Sequence, residues 1–233
     1  MPIGERTKSI LEAVIKEFAK TGSPVSSSRL YENYDFGIRP ARIRSELNSL
    51  VKLGYLDRPH TSAGRVPTNK GYVFFVKEFS PSGDDTDYSG KLEEIIGRDF
   101  DLETAVKRFG SLFCGFRMAW EEAGEVYKAG LDDLFSAAEE DWSLAEIRAV
   151  LGAIEDVEAR RDFIDDLIRD SGEEVRVFIG RNNPIVKSDK VSVIAVSCKS
   201  KPVDFLLLGS KRMDYEKNIS LMKELRGFIE NHG

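Results

Sequence analysis

Three arginines, Arg39, Arg42 and Arg44, crowd the head of the segment RPARIRSELNSLVK, and Ser45 and Asn48 follow them closely. Guanidinium groups this dense suit charge-assisted pairing with phosphate or with the O6/N7 edge of guanine. Ile43, Leu47, Leu50 and Val51 recur at helical spacing, so Ala41, Arg42, Arg44, Ser45 and Asn48 fall on the outward face and flanks of one helix. Cations at a helix N-terminus oppose the macrodipole at a cost of ~0.3–1 kcal/mol each. A bound polyanion would offset that cost, although a solvated, salt-screened face fits the same pattern. Arg42 and Ser45 are the candidates for base edges. Arg39 and Arg44 are the candidates for phosphate, which fixes register without reading sequence. Just upstream, Ser27, Ser28 and Arg29 could add phosphate contacts, or could serve only capping and turn chemistry.

The stretch PHTSAGRVPT (59–68) has two prolines, a glycine and small hydroxyls, and contributes nothing to a core. His60, Thr61, Ser62 and Arg65 offer hydrogen-bond donors there. Gly64 permits a turn and a close backbone approach to a phosphate or groove.

The elements that must position these residues follow from periodicity. Ile10, Leu11, Val14, Ile15 and Phe18 form one helical stripe that Gly22 ends, and a short helix capped by Ser26 comes next. The arginine helix begins at Pro40, a residue suited to the first helical position. Two short strands, 55–58 and 65–67, flank a hairpin tip. Thr68 then caps a helix whose apolar face is Tyr72, Phe75, Val76 and Phe79. Three helices, a hairpin and a closing helix predict a winged helix-turn-helix over residues 1–79, with PHTSAGRVPT as the wing.

Charge supports a division of labour. The chain has 34 basic and 40 acidic residues, but residues 1–79 hold 13 basic against 8 acidic, leaving 21 against 32 beyond. A basic head on an acidic body is expected where one domain alone meets a polyanion. SPSGDDTDYSG predicts a linker over 80–90. Helical patterns then predict a helical region over 91–170, from Lys91 to about Leu134 and from Leu144 to Ile168, with Ser143 and Glu146 as a capping box. EVRVFIG, KVSVIAVSC and PVDFLLLG read as three strands, followed by a helix from Tyr215 to Asn231, making 171–233 an α/β region. The expected class is α+β.

Catalysis finds little support. Asp132–Asp133, Glu139–Glu140 and Asp165–Asp166 are adjacent pairs whose members diverge on a helix, and they read as solvated faces. His60 and His232 cannot build a triad. There is no phosphate-binding glycine loop and no zinc-ligand spacing, so neither enzyme activity nor a cofactor or metal is expected. Cys114 and Cys198 read as buried reduced thiols. Without a long apolar run or a signal-like start, a cytoplasmic location and no membrane partner are expected.

GSPVSSSRL, the long run RPARIRSELNSLVKLGYLDRPHTSAGRVPTNKGY, AGLDDLF (129–135), VRVFIGRNNP and GSKRMDYEK together resemble the heat-inducible transcription repressor HrcA family. The resemblance is close over 1–79 and partial over the last third. Almost nothing aligns between Ser80 and Lys128. It implies a winged helix, a GAF-like α/β domain and an inserted dimerisation domain. It also implies a homodimer that binds an inverted-repeat operator in double-stranded DNA upstream of chaperone genes, with chaperonin as a further partner.

This chain is shorter than usual members, the missing part falling at the first GAF-like strands and the insert. A reduced GAF-like domain is therefore expected, with either a helical 91–170 as the dimer interface or dimerisation through another surface. Arg39 replaces the family's serine cap, and Arg42 and Ser45 depart from its recognition-helix pattern, which points to an altered operator. Two other readings stay open: a ligand-sensing GAF-like regulator of a different operator, and a winged helix used for protein contacts.

Overall fold

A computed structural model describes residues 3–59, 64–79, 88–96, 101–113, 115–122, 124–136, 142–169, 173–198 and 202–232. The chain divides into two compact units, Met1–Ser80 and Pro81–Gly233. In the first, α1 (Glu5–Thr21) buries Ile10, Leu11, Val14 and Ile15. It stops at Gly22, whose left-handed backbone lets its N–H reach the carbonyl of Phe18. Ser26 caps α2 (Ser27–Asn33), its hydroxyl accepting from the Arg29 N–H at 3.1 Å. α3 (Pro40–Lys52) opens on proline after Arg39, which makes no side-chain capping bond.

β1 (Leu56–Asp57) and β2 (Val66–Pro67) pair antiparallel, Leu56 opposite Pro67. The stretch before β2 also bridges back to Val25, through reciprocal bonds between Val25 and Arg65 of 2.9 and 2.8 Å. α4 (Asn69–Phe79) is capped by Thr68, which accepts from the Gly71 N–H at 3.1 Å.

The second unit contains α5 (Ser89–Ile96), α6 (Leu102–Arg108), a 3-10 turn at Phe109–Ser111, β3 (Phe116–Glu121) and β4 (Val126–Ala129). These precede α7 (Leu131–Ser136), α8 (Leu144–Glu155), α9 (Arg161–Arg169) and β5 (Arg176–Ile179). β6 (Val191–Ser197), β7 (Val203–Ser210) and α10 (Tyr215–His232) complete it. The sheet is antiparallel throughout, ordered β4-β3-β7-β6-β5. One face packs Phe116, Met118, Trp120, Val193 and Leu206 with Leu134, Val150, Ile154, Ile164 and Ile168 of α7 to α9. On the other face α10 lies against β6 and α6 against β3 and β4, with the Phe109 and Phe205 rings 5.6 Å apart.

Three expectations for this unit are corrected. The region 91–170 is not helical throughout, since β3 and β4 run through it. Accordingly the sheet has five strands rather than three. Phe116–Glu121 escaped a strand reading because both of its faces are buried, which removes the polar alternation that marks a half-buried strand. Two of the acids read as solvated also have structural partners. Asp133 accepts from buried Arg117 at 2.8 Å, and Asp165 accepts from the Trp120 indole N–H at 2.9 Å. The remaining pair, Glu139–Glu140, lies outside the described residues, as does Cys114.

AGLDDLF is thereby explained as the cradle of Arg117. Gly130 has φ +85°, and a Cβ there would meet the Arg117 guanidinium and the Gly115 carbonyl. The capping box at Ser143 and Glu146 is present, and Asp214 caps α10 by accepting from the Lys217 N–H.

Candidate nucleic-acid interface

The geometry of α3 sorts the candidate residues. Ile43, Leu47 and Leu50 are buried, while Arg39, Ala41, Arg42, Arg44, Ser45 and Asn48 are all exposed. The outward residues therefore form one polar, basic surface at the start of the helix. Among the described residues neither Arg39 nor Arg44 has an acidic partner. Arg42 does have one: its Nε lies 3.1 Å from Glu46 Oε1, one helical turn on.

Other candidates are placed differently. Ser27 is buried, so its hydroxyl is not presented for phosphate; being the first residue of α2, it packs inward behind the Ser26 cap. Arg29 keeps an exposed side chain, yet its Nε donates to Glu17 Oε2 at 2.6 Å. Glu17 is itself buried and also accepts from Tyr34 and Asn33. The Arg29 guanidinium and the Tyr34 hydroxyl hold its carboxyl below the usual carboxylate range despite burial. Arg29 thus ties α2 to α1, a role that its position in a basic run conceals.

Arg65 departs furthest from expectation. It is 8% exposed, not projecting, and its Nη2 donates to Asn48 Oδ1 at 2.6 Å across to α3. Burial, followed by the nearby charges of Arg58 and Arg44, lowers its pKa. Arg44, Arg58 and Arg65 therefore make one local cationic field, to which Arg58, overlooked in the sequence, contributes an exposed side chain.

Gly64 also serves the interior, because a Cβ there would collide with the backbone of Pro24 and Val25. The glycine admits the close approach needed for the Val25–Arg65 bridge, where a phosphate approach was expected. His60, Thr61 and Ser62 lie outside the described residues. Lys70, unremarked in the sequence, donates to the Leu53 carbonyl at 2.7 Å and stands over the Tyr55 ring, anchoring α4 to the end of α3. Nothing in its spacing signals this.

Comparison with known proteins sets this surface in context. A family model described as HrcA protein C terminal domain matches residues 86–219. A heat-inducible transcription repressor HrcA from Desulforudis audaxviator is 36% identical over 124 residues, covering 48% of this chain and 36% of that protein. Its namesake from Thermoanaerobacter pseudethanolicus is 40% identical over 103 residues, covering 43% and 30% respectively. The matches thus span about a third of these relatives' own length. A crystal structure of a hypothetical protein shares the fold, with a TM-score of 0.83 at 19% identity, covering 99% of this chain and 98% of that one.

Proposed function

The chain belongs to the HrcA family, and from that premise we propose that it is a sequence-specific DNA-binding transcription repressor. In this reading residues 1–79 are a winged helix-turn-helix. α3 enters the major groove of an inverted-repeat operator, and the hairpin β1–β2 is the wing. The observation that carries the reading is the exposed, basic start of α3, where Arg39 and Arg44 have no acidic partner among the described residues. A helix opening on such side chains suits a groove lined by phosphate, and the arginine side chain suits guanine.

Arg39 and Arg44 hold phosphate, whereas Arg42, Ser45, Ala41 and Asn48 face base edges. Arg29 reaches phosphate beside its pair with Glu17, and His60, Thr61 and Ser62 donate to the DNA. Arg65 orders the wing root against Asn48 instead of binding phosphate. The second unit, a five-stranded antiparallel sheet with helices on both faces, is the GAF-like domain, and the protein acts as a dimer matched to the operator's two-fold symmetry. The heat-inducible repressors among its relatives support a role in heat-shock gene control.

Fluorescence anisotropy of the full chain on an inverted-repeat duplex and a scrambled control tests this reading, with light scattering for the assembly. Preference for the repeat and a dimer on DNA are expected. A strict monomer with no affinity for either duplex would leave a protein-contact module instead.

A further inference from the structure

Glu46 is the only acid in α3, and it sits on the helix assigned to face DNA. A carboxylate so placed repels phosphate, a cost that calls for an offsetting task. Its side chain is only 13% exposed, and its two oxygens are divided between different partners. Oε2 accepts from the Thr7 hydroxyl of α1 at 3.0 Å, and Oε1 lies 3.1 Å from Arg42 Nε. Thr7 therefore fixes Glu46 from a separate helix, and Glu46 in turn restrains Arg42. The Arg42 side chain remains 63% exposed. With Nε held, its terminal Nη1 and Nη2 remain for the O6/N7 pair of a guanine.

We propose that Glu46, held by Thr7, is a positioning residue that presets Arg42 for a guanine and so determines operator specificity. This rests on the DNA-binding reading above. An arginine left free loses rotamer freedom when it docks on a base, at about 0.5–1.5 kcal/mol for a side chain of this kind. A preset arginine has lost part of that freedom already. The gain falls only on sequences that place a guanine where the preset side chain points. Elsewhere Glu46 is an unfavourable charge, so it sharpens discrimination from both sides.

Selection of duplexes from a randomised pool by the full-length chain tests this with no operator sequence assumed. The wild type is expected to enrich an inverted repeat with a guanine at one symmetric position in each half. Arg42→Ala removes the preference at that position. Glu46→Gln and Thr7→Val weaken it roughly two- to tenfold at that position alone, in line with the rotamer cost, and Thr7→Ser restores it. Thermal melting checks that each variant is folded, and Thr7→Val carries the test if Glu46→Gln does not fold. An unchanged base preference in folded Thr7→Val and Glu46→Gln would overturn the inference. So would a uniform tightening on every sequence in Glu46→Gln, which would make Glu46 a simple electrostatic brake. A wild type that enriches no motif would instead overturn the DNA-binding reading, and this inference with it.

Discussion

In the first unit Arg39, Arg42 and Arg44 stand exposed at the start of α3, whereas in the second Arg117 is 3% exposed and spends its donors inside the protein. Arg117 reaches the carbonyls of Val106, Phe113 and Gly115 and the carboxylate of Asp133. Similarly, Asp204 is fully buried in β7 and accepts from Arg169 at 2.7 Å. Burial pushes its carboxyl up to about 6, outweighing the Ser197 hydrogen bond and the Arg169 charge. The side-chain types are the same but their uses differ. A buried charge held by partners within its own unit specifies its own fold, and an exposed cation set against a helix dipole is available to a ligand.

The largest effect expected from breaking this contrast is in the second unit. Arg117→Met should cost it about 3–5 kcal/mol, because three carbonyls and Asp133 lose their donor. Trp120 and Trp142 are the only tryptophans and both belong to that unit, so their fluorescence during urea unfolding reports it directly. DNA affinity of the folded fraction should not change.

Next comes Arg169→Met, costing about 1–2 kcal/mol at pH 8 once the partial exposure of Arg169 is allowed for. Asp204 has a raised folded pKa, so protonation relieves the buried charge. Loss of Arg169 raises that pKa further, so the variant's deficit should shrink as pH falls towards about 6 and stay small below it. A deficit independent of pH would mean that Arg169 acts through packing alone.

Glu17→Gln should cost the first unit about 1–2 kcal/mol at neutral pH. The wild-type carboxyl is held low, so its contribution is present above the ordinary carboxylate range and lost as pH falls through its own lowered pKa. Circular dichroism melts of wild type and variant should differ most at pH 7 and draw together as pH falls below the ordinary carboxylate range.

The smallest and most discriminating comparison sets Arg44→Ala against Arg65→Ala. The first should lower the salt slope of DNA binding by ~1 with little effect on stability. The second should reduce stability by about 1 kcal/mol and leave the slope unchanged. Reversal of the pair would place Arg65, not Arg44, on the phosphates.

Much of the first unit was legible, because its elements are amphipathic and carry local signals: the Gly22 stop, the Ser26 cap, Pro40 and Thr68. The outward arginines of α3 followed from the same period. What the sequence hid were partnerships across elements, such as Arg29 with Glu17 and Arg65 with Asn48, separated by 12 and 17 residues. Residue type says that an arginine seeks an anion or a carbonyl, not which one folding brings near. Strands β5 to β7 stood out as β-branched or apolar runs between turns. β3 did not, since burial of both faces and its Met118, Ala119 and Glu121 imitate a helix.

If the cations at the start of α3 are kept for phosphate, the salt dependence of binding must carry their signature. The experiment plots log K against log salt for the full chain and for Arg39→Ala/Arg44→Ala on the same duplex. A slope smaller by about two in the double variant is predicted, and it should fall equally on a scrambled duplex. An unchanged slope would contradict that assignment and place the DNA contact, if any, elsewhere on the molecule.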